Sequence, residues 1–106
     1  NFGKSKQDLF EYEEAIDLYK MAININPDVK ETYYNLGFCH MQLEDYLDAI
    51  NHFTNAIILD SSFLLAYHAR AYLYGLIGEI EKARLDWKNC LMLNPSYIPA
   101  IEGLSI

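Results

Sequence analysis

Apolar residues recur every three or four positions in two neighbouring segments of the chain, the spacing of one face of an α-helix. The first stripe comprises Tyr33, Leu36, Gly37 and His40, and the second comprises Tyr46, Ala49, Ile50, Phe53, Ala56 and Ile57. The short stretch LED (43–45) separates them. The pattern therefore predicts two amphipathic helices joined by a tight turn.

The same pattern returns with a period of 34 residues. DYLDAINHFTNAIILD (45–60) is preceded by EYEEAIDLYKMAININ and followed by EIEKARLDWKNCLMLN at that step. Small residues remain small, aromatic residues remain aromatic, and polar or proline-containing junctions end each copy. The clearest series are Ala15, Ala49 and Ala83; Tyr19, Phe53 and Trp87; and Ala22, Ala56 and Cys90.

We predict an all-α chain, an α-solenoid of antiparallel helix pairs. Glycine or alanine at positions 37 and 71 should face Ala49 and Ala83, so that the helices approach closely and stacked pairs complete the core. The turns within pairs are expected at DLFE (8–11), at QLED (42–45) and at Gly78. The predicted helices cover 1–9, 13–25, 30–43, 46–59, 64–77 and 80–93, with another beginning near 98.

Composition removes several classes of function. The chain has 106 residues, 52% of them hydrophobic, and a formal net charge of −7, which disfavours binding to nucleic acid. No apolar run is long enough to span a membrane, and no signal peptide is recognised, so we expect no membrane partner and a cytoplasmic location. Because the chain opens on Asn1 rather than Met, we expect it to be part of a longer protein.

These residues give the chain a clear resemblance to the tetratricopeptide repeat (TPR) family. TYYNLGFCHMQLEDYLDAINHFTNAIILDSS follows the family pattern of aromatic, Leu-Gly, Tyr, Ala, aromatic and Ala positions. The resemblance covers nearly the whole chain and divides its single domain into four parts. These are a partial first repeat (1–29), a second repeat (30–63), a third repeat (64–97), and the start of a fourth repeat or a capping helix (98–106).

The resemblance implies a right-handed superhelix whose first helices line a concave groove for a partner's peptide or helix. The family pattern, carried over position by position, gives more groove-facing side chains than the contact surface named below. The additional ones are Glu31, Gln42, Ala69 and Gly75, with Asn1, Lys4, Gln7 and Asp8 from the first repeat. The alternative is that several of them pack between adjacent helices. We expect the contact surface to comprise Tyr34, Asn35, Phe38, Met41, Leu65, His68, Tyr72 and Leu76.

Family members that bind chaperones hold a terminal carboxylate with cations and asparagines. Asn1 and Asn35 occupy asparagine positions of that clamp, but Leu65 and Ala69 stand where two cations belong. A buried carboxylate would then lack charged donors. The resemblance therefore argues against a carboxylate clamp here.

Two arginines depart from the repeat pattern. Arg70 stands where other repeats have Phe2 and Leu36, and Arg84 where they have Ile16 and Ile50. We expect each to extend its charged head to water along an apolar stem. The alternative is pairing with an acid, either Asp86 or Glu102, or with a partner's carboxylate.

Enzymatic chemistry is not expected, and no cofactor or metal is predicted. His40 is interpreted as a packed ring and His52, four residues from Asp48, as solvated, while His68 lies on the predicted groove. Cys39 and Cys90 occupy small-residue positions as inert thiols. There is no glycine-rich phosphate loop and no nucleophile constellation.

The sequence therefore predicts a protein–protein interaction module. One alternative is a secretion-type chaperone or adaptor that shields an apolar client segment. Another is an architectural spacer or a self-association segment of a larger protein. Self-association would use the unpaired apolar ends of the array, represented by Ile98, Ile101 and Leu104.

Overall fold

The computed structural model describes the backbone of residues 6–105 and the side chains of residues 8–105. Within that range the chain forms helices only, which confirms the all-α prediction. The two helices predicted at 46–59 and 80–93 have those bounds. The six helices are α1 (Lys6–Ile25), α2 (Lys30–Gln42), α3 (Tyr46–Leu59), α4 (Leu64–Leu76), α5 (Ile80–Leu93) and α6 (Ile98–Leu104).

The first predicted turn is wrong, because α1 continues through residues 8–11. The turns inside the next two pairs each contain one residue with a left-handed backbone. These residues are Glu44, with φ 65°, and Gly78, with φ 85°. The equivalent position in the first repeat, 34 residues before Glu44, holds Phe10. A bulky side chain disfavours positive φ, so the helix is not interrupted there.

The junctions between helix pairs share one local structure. Asn26, Asp60 and Asn94 each accept a hydrogen bond through the side chain from the backbone N–H two residues later, at 3.1, 3.0 and 3.2 Å. This Asx turn closes the backbone locally where each helix ends. The 34-residue period therefore sets the helix ends as well as the helix faces.

Close helix approach depends on small residues inside each pair. Gly37 of α2 is buried against α3, and a Cβ added there would lie 2.8 Å from Phe53 Cε1. Ala49 and Ala56 are fully buried on the same face of α3. Glycine thus allows the Phe53 ring to enter the space between the two backbones.

Successive helices pack on each other along the chain, with the main contacts between neighbours from α1 to α6. One core cluster joins α3 to α4 through Ala49, Ile50, Phe53, Ala69 and Leu73. Another joins α1 to α2 through Ile16, Leu36 and Cys39. Each helix pair therefore completes its core against the next pair, as a solenoid requires. Among helices α1 to α6, none is both long and apolar enough to cross a membrane.

Candidate functional site

An open cavity of about 330 Å³ lies between α2, α4 and the turn that precedes α6. Its walls are large apolar and aromatic side chains carried by the first helices of the second and third repeats. The lining residues are Tyr34, Phe38, Met41, Leu65, His68, Ala69, Tyr72 and Tyr97.

The structure brings six of the eight predicted contact residues into this one cavity. Leu76, one turn beyond Tyr72 on α4, instead lines two adjoining depressions together with Tyr72. Asn35 is half-buried on α2 and is not among the lining residues. Asn1 and Lys4, and the side chain of Gln7, lie outside the described residues.

The lining residues divide into exposed and anchored side chains. Phe38, Leu65 and Tyr72 are 41%, 51% and 53% exposed, which is high for large apolar groups. Tyr34 and Met41 instead pack against the core cluster between α3 and α4. The alternative, that several of these residues pack between helices, therefore describes Tyr34 and Met41.

Tyr34 forms the floor on the side of the second repeat. Its ring meets Phe53 edge-on at 5.4 Å between centroids and lies tilted against Phe63 at 5.2 Å. Burial raises the pKa of its hydroxyl above the ordinary value of 10.0. The phenol therefore stays neutral at physiological pH.

His68 has the same surroundings in the third repeat. Its ring meets Trp87 edge-on at 5.1 Å and Tyr97 at 5.6 Å, and its Nδ1 shares a hydrogen bond with Tyr97 Oη. Burial lowers the pKa of His68 below its ordinary value of 6.5. The imidazole is therefore neutral at pH 7 and adds no charge to the cavity.

Tyr97 was absent from the predicted contact surface. The prediction considered first helices only, whereas Tyr97 precedes α6. The period of 34 carries the missing signal, because Phe63 and Tyr97 occupy equivalent positions. Tyr97 therefore stands to His68 as Phe63 stands to Tyr34.

The described lining residues of this cavity include neither lysine nor arginine. The two positions at which a carboxylate clamp would place cations hold Leu65, which is exposed, and Ala69, which is buried. The surface is thus apolar and aromatic, with the His68–Tyr97 pair as its main polar group.

Arg70 pairs with Asp86 and does not simply extend its charged head to water as expected. Its Nε and Nη2 donate to the two carboxylate oxygens of Asp86 at 2.7 Å each, and its Nη1 donates to Thr54 Oγ1 at 3.1 Å. Asp86 is only 1% exposed. Burial opposes the charge on Arg70, but the bidentate bonds to Asp86 outweigh this cost and raise its pKa.

Arg84 makes a weaker contact in a second apolar depression. It donates through Nη1 to the backbone oxygen of Leu104 at 3.3 Å, and not to Glu102, one of the two acids named as alternative partners. The depression has a volume of about 310 Å³ and lies between α4, α5 and α6. Leu76, Ile80 and Trp87 are among its walls, so the apolar surface extends beyond the main cavity.

The two cysteines and His52 pack between neighbouring helices. Both cysteines are free and buried, and burial raises the pKa of Cys39 and that of Cys90, the latter to about 11. Neither thiol is therefore ionised at neutral pH. The expectation of a solvated His52 is wrong, because its half-buried ring stacks on His40 with 5.0 Å between centroids.

The fold defines a class of protein, a solenoid of stacked helix pairs. Comparison of the sequence with known protein families identifies the repeat. Models of the tetratricopeptide repeat match residues 11–44, 31–63 and 64–97. The chain belongs to the tetratricopeptide repeat family.

The region that matches this chain is a small part of each of the similar proteins. Serine/threonine-protein phosphatase 5 of Rattus norvegicus is 30% identical over 86 residues, which are 81% of this chain and 17% of the phosphatase. Heat shock protein STI1 of Saccharomyces cerevisiae is 26% identical over 95 residues, 89% of this chain and 16% of that protein. The chain therefore spans about a sixth of these relatives.

Solved structures with the same fold include two domains that hold peptides. The first TPR of Spaghetti (RPAP3), bound to the HSP90 peptide SRMEEVD, matches with a TM-score of 0.84 and 25% identity over 90% of this chain and 75% of that one. The second TPR domain of human RPAP3, with the HSP70 peptide SGPTIEEVD, gives 0.83 and 28% over 89% and 78%.

Proposed function

We propose that this chain is a protein–protein interaction module that binds an apolar segment of a partner protein in the cavity between α2 and α4. The observation that carries the proposal is the convergence of exposed Phe38, Leu65 and Tyr72 on one cavity. Aromatic groups with few rotatable bonds bury large areas at low entropic cost, which makes them effective binding anchors.

Peptide recognition by similar domains supports the mode of binding but not the same ligand. Both peptides named with the RPAP3 domains end in the acidic sequence EEVD. Leu65 and Ala69 give such a tail no cation, and the net charge of −7 repels it. We therefore propose an uncharged or basic segment with aromatic and aliphatic anchors as the ligand.

The test exploits two exposed residues whose loss leaves the core intact. Peptides are first selected against the wild-type chain from a random display library. We expect Phe38→Ala with Tyr72→Ala to lower the affinity for these peptides by roughly 30-fold or more, the equivalent of about 2 kcal/mol for a binding hot spot. The matched control is Leu47→Ala with Leu85→Ala, which removes similarly exposed apolar groups from α3 and α5. Circular dichroism verifies that both pairs keep their helices.

The same experiment separates the alternatives. Tight binding of SRMEEVD that survives the Phe38 and Tyr72 substitutions would overturn the apolar ligand. Failure to select any peptide, together with a concentration-dependent dimer in light scattering, would favour self-association. The surface for that outcome would comprise exposed Ile80, which lines the second depression, and exposed Ile98 and Ile101 on α6.

A further inference from the structure

The turn that joins α2 to α3 gathers three metal-ligating side chains. His40 comes from the last turn of α2, Asp45 from the residue before α3, and Asp48 from the first turn of α3. One ligand atom from each lies within 4.8 Å of the others. Glu44, with its positive φ, reverses the chain so that the Asp45 N–H reaches the His40 carbonyl oxygen at 2.8 Å.

His40 is the unusual member of this group. It is 9% exposed, and among the described residues neither of its ring nitrogens has a hydrogen-bond partner. Its Nδ1 lies 3.6 Å from Asp45 Oδ2, beyond hydrogen-bond distance. A buried imidazole left without a partner costs free energy, and a bound cation would remove that cost at one of the two nitrogens.

The surroundings keep His40 in position to act as a ligand. The ring of His52 lies nearly parallel to it, at 18° between planes. Asp45 occupies the N-cap position of α3 but its carboxylate makes no cap bond within the described part of the chain. That carboxylate faces His40 instead.

The third repeat shows how the same place is arranged with a cation from the protein itself. The counterparts of His40, Asp45 and Asp48 are Tyr74, Glu79 and Lys82. Lys82 Nζ lies 3.1 Å from Glu79 Oε2 and 5.7 Å from the centroid of the Tyr74 ring. The second repeat replaces that ammonium by a carboxylate and the phenol by an imidazole.

We propose that His40, Asp45 and Asp48 bind one divalent transition-metal ion, with Zn²⁺ as the representative ion. One imidazole and two carboxylates are a donor set that zinc accepts, with water completing a tetrahedral site. Bonds of about 2.0–2.2 Å place tetrahedral ligand atoms about 3.4 Å apart. The separations here require a small rotation of Asp45 and Asp48, which are exposed and free to make it.

Titration of the purified chain with Zn²⁺ alone tests the site. We expect one equivalent to bind in calorimetry and to raise the melting temperature, because the ion binds only the folded turn. Asp48→Lys, which copies Lys82, should lower the affinity by more than the 10–100-fold that loss of an outer partner costs, so roughly 100-fold or more. Asp28→Lys makes the same charge change on an exposed residue before α2 and should leave binding unchanged.

A reciprocal graft makes the assignment sharper. Tyr74→His with Lys82→Asp rebuilds the three donors in the third repeat around Glu79, and we expect a second equivalent of Zn²⁺ to bind. Equal affinity of the wild type and Asp48→Lys would overturn the proposal. So would the absence of saturable binding by a wild-type chain whose helicity is intact.

Discussion

The second and third repeats have the same backbone plan but different interiors. In the second repeat, Leu36 is fully buried in an apolar cluster. In the third repeat, Arg70 stands at the corresponding position and forms its bidentate pair with buried Asp86. The geometry of the helix pair is therefore compatible with either an apolar contact or a fully bonded ion pair. We expect half of such a pair, a buried charge without its partner, to be strongly destabilising.

The ion pair offers the largest expected effect. Arg70→Leu restores the residue of the second repeat, but it leaves Asp86 buried without its partner. We expect a loss of about 3–5 kcal/mol in the free energy of unfolding, measured with urea. Arg70→Leu with Asp86→Leu, which uses leucines found at the same positions in other repeats, should return to within about 1 kcal/mol of wild type or exceed it.

An unchanged stability for the single Arg70→Leu variant would contradict this account. It would restore the initial expectation that Arg70 is a solvated side chain on an apolar stem. Loss of the Arg70 bond to Thr54 Oγ1 should matter less, because that hydroxyl also donates to the Ile50 carbonyl oxygen at 2.8 Å.

Substitutions of the small residue between the two helices of a pair are expected to have an intermediate effect on the free energy of unfolding. Gly37→Ala places a methyl group against the Phe53 ring, and we expect overpacking to cost about 1–3 kcal/mol in urea unfolding. The reverse change in the third repeat, Ala71→Gly, should cost about 1 kcal/mol through helix propensity. A neutral Gly37→Ala would mean that the second pair can open to the spacing of the third.

The junction after the second repeat provides the smallest effect. Lys30 pairs with Asp60, and hydrogen bonds from Lys30 and Ser62 lower the pKa of Asp60 to about 2. The pKa of Asp60 in the folded chain lies below its ordinary value of 3.8, so the ionised carboxylate stabilises the fold. This stabilisation is complete above the ordinary pKa and disappears as the pH falls through about 2.

Asp60→Asn tests this contribution while preserving the Asx turn, since Asn26 and Asn94 hold the other junctions. We expect the difference in urea midpoint between variant and wild type to be largest near neutral pH and to vanish near the folded pKa. A pH-independent difference would show that the ion pair is not its source. Asn94→Asp is the matched control, as Asn94 is the counterpart of Asp60 in the third repeat.

Most of the fold follows from periodicity. The bounds of α3 and α5 follow from their strong apolar stripes, from the turn before each helix, and from the polar or proline-containing junction after it. The predicted first turn is wrong because the period places Phe10 at the position where Glu44 and Gly78 have positive φ, which a bulky side chain disfavours. Candidate contact residues were predicted from the first helices alone, and Tyr97 was missed because it precedes a helix rather than lying on one.

The repeat length, the helix faces and the junction turns can be read from the amino-acid sequence alone. Each of these depends on backbone geometry within a few residues, where spacing and residue type are sufficient. The tertiary structure decided that Arg70 reaches Asp86, that His40 stacks on His52, and that Tyr97 closes the cavity beside His68. Those contacts depend on the distance between helices, which is fixed only when Gly37, Ala49 and their neighbours pack and set how closely two backbones approach.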